Sequence, residues 1–184
     1  MDSFKEQIVR KNLSQKDKMT KYMLMIASVA LAAACFLLLL GSPFMMIGVL
    51  AAGLALFGGY HLTTRMDVEY EYIFTNGEVD VDKIIAQRSR KRLVTFKCSS
   101  VTAFGKAEGH EIDSDTTLVY ATANEEDLID YYAEFNHKSL GKTTVVFTPD
   151  SSILSLVVKS LPAQIRREAT ALLDEIETDD EDEE

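Results

Sequence analysis

From Tyr22 to Thr64 the chain carries no Asp, Glu, Lys or Arg, although charged residues crowd both flanks of that window. Drawn as one helix, the stretch would measure ~65 Å against a hydrocarbon core of about 30 Å, so it has to be interrupted. Gly41-Ser42-Pro43 supplies the break, since Gly ends helices well and Pro is tolerated chiefly in the first turn of the next one. The pattern predicts transmembrane helices over residues 22–40 and 44–62 with a turn at 41–43, each about 28 Å long. A bilayer offers no water to unpaired backbone groups, so both segments are expected to be helical throughout, with the turn at the far interface.

Beyond Arg65 the period drops to two. Val68, Tyr70, Tyr72 and Phe74 alternate with polar residues, and Asn76-Gly77 then gives a strong two-residue hairpin signal. Pairing across that turn sets Phe74 opposite Val79, Tyr72 opposite Val81 and Val68 opposite Ile85 on one face. Glu69, Glu71, Asp80 and Asp82 fall on the other face and read as a solvated row. Further strands are expected at Leu93–Cys98, Thr117–Ala123, Tyr131–Phe135 and Thr143–Thr148, with 104–115 as a loop. A helix is the alternative around 127–135, but Ile129, Tyr131, Ala133 and Phe135 alternate, which favours strand. After Pro149, Asp150, Ser151 and Ser152 are cap candidates for a helix with an apolar stripe of Ile153, Leu154, Val157, Val158 and Leu161. Pro162 kinks or restarts it, and Ile165, Ala169, Leu172 and Ile176 continue the stripe to about Glu177. The expected fold class is therefore α+β. A transmembrane hairpin (22–62) precedes a β domain (66–177), an antiparallel meander or partly open barrel of six or seven strands closed by an amphipathic helix.

Charge gives the hairpin a direction. Arg10, Lys11, Lys16, Lys18 and Lys21 precede the first span and Arg65 follows the second, whereas the connecting turn has no basic residue. The rule that cytoplasmic flanks are positive puts both termini in the cytoplasm of a multi-pass protein of the cell membrane. Tyr22, Tyr60 and His61 sit where an interfacial belt would lie. A cleaved signal peptide fits poorly: the first run exceeds a normal apolar core, Leu37–Leu40 offers no small-residue cleavage pattern, and a second span follows. Small residues recur four apart at Ser28/Ala32, Ala30/Ala34, Gly48/Ala52 and Ala51/Ala55/Gly59, a spacing that lets helix backbones approach within the hairpin or between protomers. His61 is the only ionisable residue in the spans apart from Cys35 and the tyrosines, which argues against an ion pathway through this chain.

The net charge of −10 hides opposite ends. Residues 1–21 form a basic arm, whereas 178–184 end in six consecutive acids and are expected to be a disordered, solvating tail. Cys35 lies in an apolar span and Cys98 in a strand, so both read as reduced structural residues.

The run from Tyr70 to Ile84, YEYIFTNGEVDVDKI, followed by Arg88-Ser-Arg-Lys-Arg-Leu93, resembles an uncharacterised family of small bacterial two-pass membrane proteins. The strand order, the Asn-Gly hairpin and the terminal helix resemble bacterial pleckstrin-homology-like (PH-like) domains. Neither resemblance brings catalytic residues with it, and a fold alone assigns no reaction.

His61, His110, His137 and the two cysteines are too scattered for a zinc site, and Gly105 and Gly109 are too sparse for a phosphate cradle. No metal, cofactor or small-molecule substrate is indicated, and the chain is not expected to be an enzyme. Arg88, Arg90, Lys91 and Arg92, together with Lys16, Lys18 and Lys21, are the residues with a physical pull. Facing a bilayer they would attract anionic headgroups at about 1 kcal/mol each; the plainer role is a solvated turn that blunts a sheet edge. The acidic remainder of the domain would repel nucleic acid. The expected function is a membrane-tethered interaction or scaffold module with a protein partner or its own copy. The alternatives are an accessory subunit of a transporter or export complex and a sensor of anionic lipid.

Overall fold

A computed structural model describes residues 3–170. The elements run β1 (Phe4–Arg10), α1 (Gln15–Leu39), α2 (Met45–Thr64), β2 (Val68–Thr75), β3 (Glu78–Ile85), β4 (Ser89–Lys97), a single 3-10 turn (Cys98–Ser100), β5 (Val101–Lys106), β6 (Thr117–Ala121), β7 (Tyr131–His137), β8 (Gly141–Phe147) and α3 (Ser151–Ser160). They divide into two units. Among the described residues, one comprises 12–68 and 85–89, and the other comprises the rest.

The first unit is a helical hairpin, and both helices are long and apolar enough to cross a membrane. At the tip, Gly41 takes a φ of +78°, the left-handed conformation that glycine adopts without strain, and Ser42 donates from its N–H (3.1 Å) and its hydroxyl (2.8 Å) to Leu39 O. Leu24, Ser28, Ala32, Cys35 and Leu39 on α1 and Gly48, Ala52, Ala55, Gly59 and Thr63 on α2 are all buried or half-buried. Their spacing of three and four marks one stripe per helix. A Cβ at Gly59 would overlap Ser28, and one at Gly48 would stand 2.9 Å from Leu39 Cβ, so these glycines set the approach of the two backbones. Ala30 and Ala34 face away. At the open end, Lys21 Nζ meets Asp67 Oδ1 at 2.6 Å.

The second unit is two four-stranded sheets, ordered β1-β2-β3-β4 and β5-β7-β8-β6. Tyr70, Tyr72, Phe74, Val79, Val81, Val94 and Phe96 from the first are buried, as are Phe104, Tyr131, Ala133, Phe135, Val145 and Phe147 from the second. Phe96 stacks on Phe135 (ring centroids 4.7 Å apart) and Tyr72 meets Phe147 edge-on at 5.6 Å. The buried Tyr72 hydroxyl donates to Ala121 O and accepts from Thr148 N (3.2 Å), so the aromatic body and the polar tip both tie the sheets together. In α3 the Asp150 carboxylate accepts from Ile153 N at 2.7 Å, and Ile153, Leu154, Val157 and Val158 are buried. After Pro162 the chain is helical again over 163–170 and buries Ala169. Leu172, Ile176, the expected helix end near 177 and the acidic tail 178–184 lie outside the described residues.

The α+β class stands, with four differences in detail. Residues 4–10 of the basic arm form β1, paired antiparallel with β2 from Phe4↔Thr75 to Arg10↔Glu69. Its apolar residues are split between the two faces: Phe4 and Ile8 are 63% and 56% exposed, while Val9 is buried and the Gln7 side chain binds Thr148 O (3.3 Å) and Asp150 N (2.8 Å). Part of the expected loop 104–115 is strand β5, paired with β7 and broken by a bulge between Val101 and Ala103 that shifts its period. The meander order fails at β6, which runs parallel to β8 (Thr117↔Thr143 to Ala121↔Phe147) across a long connection. The expected solvated row is also corrected: Glu71 and Asp82 are only 1% and 2% exposed, because arginines of β4 cover them. The segment 131–137 is strand, held between β5 and β8.

Candidate functional site: a paired basic strand and two clefts

The basic residues singled out from sequence do not form one free patch. Lys16, Lys18 and Lys21 lie in the first two turns of α1, where the first two are exposed and Lys21 is held by Asp67. Arg88 follows a two-residue turn at Ala86-Gln87 and belongs with the helical unit; Arg90, Lys91 and Arg92 belong with the sheets. Arg90 Nη2 reaches Glu71 Oε1 at 2.7 Å. Arg92 bridges two carboxylates, Asp80 Oδ2 at 2.8 Å and Asp82 Oδ1 at 2.7 Å. Two guanidiniums thus answer three acids, and Arg88 and Lys91 are left as exposed cations.

Glu71 is the most constrained group here. Burial raises its carboxyl pKa above the ordinary value; Arg90 pulls it down, and neighbouring Glu6 pushes it up further. Its Oε2 is buried without a donor among the described residues. Arg92 is held firmly charged by its hydrogen bond to Asp82. Burial pushes the Cys98 thiol up to about 12, which makes it a packing group and a poor nucleophile.

Two clefts open on the sheet unit, and sequence reasoning had singled out neither. The larger, about 820 Å³, lies between the Asn76-Gly77 turn, the end of β4 and the end of α3, with Ser3, Lys97, Lys159 and Ser160 on its walls beside Glu78 and Asp80. The smaller, about 480 Å³, is walled by Tyr120, Tyr132, Ile129, His110 and the acids Glu108, Glu126, Asp127 and Asp130. His110 is fixed there, stacked on Tyr132 with centroids 3.6 Å apart and bonded through Nε2 to Glu134 at 3.0 Å. Among the described residues no three His, Cys, Asp or Glu side chains converge as metal ligands would. The signal for the smaller cleft was present in sequence as an acidic stretch, but only the fold brings its far-apart tyrosines together.

A family model described as a bacterial PH-like domain, DUF6106, matches residues 1–167. The chain belongs to this family. The match takes in β1, both long helices and the two sheets, so the DUF6106 unit includes the hairpin as well as the PH-like fold. No curated protein and no solved structure matched the chain. DUF6106 carries no assigned reaction in its description, and the two clefts and the basic strand are the features from which a role has to be argued.

Proposed function

We propose that this DUF6106 protein is a non-enzymatic, membrane-tethered interaction module. In this reading the α1–α2 hairpin fixes it in the cell membrane with both termini cytoplasmic, and the PH-like unit docks a protein partner. The observation that carries the reading is the surface of the hairpin. Outside the stripe where α1 and α2 meet, side chains such as Ile26, Leu38, Met46, Leu50 and Phe57 are exposed, a continuous apolar surface far larger than a soluble protein leaves in water. Lys16, Lys18 and Arg65 flank one end of it, and the tip from Leu40 to Phe44 is uncharged, which supports the orientation. Burial of the Cys98 thiol and its raised pKa, which make it a poor nucleophile, support a binding role over thiol catalysis in the PH-like unit.

The accessory-subunit reading retains one observation: Gly53 has open space where a Cβ would stand, and Ala30 and Ala34 face outward, so a second helix could approach there. The lipid-sensor reading is weakened by the ion pairs that occupy Arg90 and Arg92. The deciding experiment is isolation of the intact chain from native membranes, with crosslinking placed either in the hairpin or in the sheet unit. A partner captured through the sheet unit is the expected result. Turnover of a metabolite by the purified protein, lost on substitution in the sheet unit, would overturn the proposal.

A further inference from the structure

Among the described residues four strands end sheets, and three of them are blunted as natural edges are. β1 carries Lys5 and Arg10, β4 carries Arg90, Lys91, Arg92 and Lys97, and β5 is bulged and ends in Gly105-Lys106. β6 has none of these devices. Its sequence, Thr-Leu-Val-Tyr-Ala, lacks Lys, Arg and Pro, and it pairs with β8 on one side and, among the described residues, with no strand on the other. Leu118 and Tyr120 are 37% and 57% exposed, and Leu128 and Ile129 add exposed apolar surface from the following loop. The smaller cleft opens at Tyr120.

The charge around this edge is mainly acidic, with Lys106 on the cleft wall and Lys142 on β8 as the nearby cations. Between Ala107 and His137 the chain has nine Asp and Glu and no Lys or Arg. Some of these acids are used internally: Asp113 by Lys142 at 2.9 Å, Glu134 by His110, and Asp130 by the Thr148 hydroxyl at 2.5 Å. Glu108, Glu126 and Asp127 remain on the cleft wall and are exposed, beside the aromatic side chains of Tyr120 and Tyr132. Carboxylates together with aromatic faces suit an ammonium or guanidinium group.

We propose that β6 and this cleft are a docking surface for an extended segment of another polypeptide in which Lys or Arg alternates with apolar residues. The segment adds as a strand along β6, packs apolar side chains on Leu118 and Tyr120, and seats a basic side chain against Glu126 and Asp127. The inference rests on the reading of the sheet unit as a protein-docking module, and it names the surface and the chemistry of the partner. A second copy is the weaker occupant, because the chain's own basic strand has two of its arginines held by Glu71, Asp80 and Asp82.

The test is fluorescence anisotropy of the full chain in uncharged detergent with a labelled peptide, Lys-Val-Arg-Leu-Lys-Val. The acidic counterpart and a form N-methylated at alternate amides serve as controls, the latter keeping charge while losing the backbone donors strand addition needs. The basic peptide is expected to bind at least about tenfold more tightly than either control and to lose about tenfold in the double variant Glu126→Lys, Asp127→Lys. Leu118→Lys should weaken it similarly, whereas Glu78→Lys, at the other cleft, should not. Equal binding of the N-methylated peptide, or indifference to the Glu126/Asp127 reversal, overturns the proposal. Self-association that Leu118→Lys abolishes would transfer the edge to a second copy and also overturn it. If these assays fail while a partner from native membranes still crosslinks to another face of the sheet unit, the docking surface is wrong and the broader function stands.

Discussion

Burying Glu71 against an arginine poses the sharpest residue-scale question, because burial disfavours the carboxylate that Arg90 favours. The net direction is upward. A raised folded-state pKa means that stability from this group is present below its ordinary value of 4.5 and is lost as the pH rises through the higher folded value. Glu71→Gln keeps the shape without the charge, and Arg90 is half-exposed and can be resolvated. The variant should therefore be at least as stable as the parent at pH 7 and should flatten the slope of stability above pH 4.5. Denaturant titrations across that range check it, and a large loss at pH 7 would mean that the ion pair dominates. Turn chemistry gives a second prediction. Asn76 and Gly77 have φ of +49° and +85°, the conformation that Asn-Gly favours. Ala86 and Gln87 both sit near +54° with no such excuse. Replacing them by Asn-Gly is expected to stabilise the hairpin by about 1 kcal/mol, read as a higher melting temperature. The first turn was legible in sequence because the residues suit it. The second was not, because Ala and Gln carry no turn signal, and the buried acids looked like any solvated strand face.

Among the elements, α1 and α2 were legible from their charge-free apolar runs, β2, β3, β7 and α3 from an apolar period that serves one buried face, and β4, β6 and β8 from short apolar runs between turn residues. The elements missed or misread break that link. β1 turns Gln7 and Val9 inward and Phe4 and Ile8 outward, so its apolar residues are split between the two faces and mark neither, and the bulge in β5 resets its alternation within six residues. The parallel pairing of β6 with β8 is a non-local choice that no hairpin signal announces. Three substitutions test these elements. Gly59→Leu should force α1 and α2 apart at Ser28 and destabilise the hairpin by about 1–3 kcal/mol. Gly53→Leu, with open space at its Cβ, should be tolerated in the same detergent melt. Asp150→Ala removes the cap of α3, whose backbone N–H also donates to Gln7, and should lower stability by about 1 kcal/mol through the lost carboxylate bond.

At the scale of the molecule, one chain carries an apolar hairpin and a PH-like unit, and the proposed tethered docking role comes from that combination. That role requires the hairpin to span the membrane with its tip on the far side, which puts every partner proposed for the sheet unit on the cytoplasmic side. Cys98 is buried with its thiol held protonated, and Cys35 is half-buried on the face of α1 that meets α2, so an introduced surface thiol stands out against a low background. The direct measurement is labelling of two single variants, Phe44→Cys at the tip and Lys91→Cys on β4, by a membrane-impermeant maleimide in sealed right-side-out vesicles. The account predicts that the Phe44→Cys thiol reacts in intact vesicles and the Lys91→Cys thiol only after they are opened. Reaction of the Lys91→Cys thiol in sealed vesicles, or complete extraction of the protein from membranes by alkaline carbonate, would contradict it.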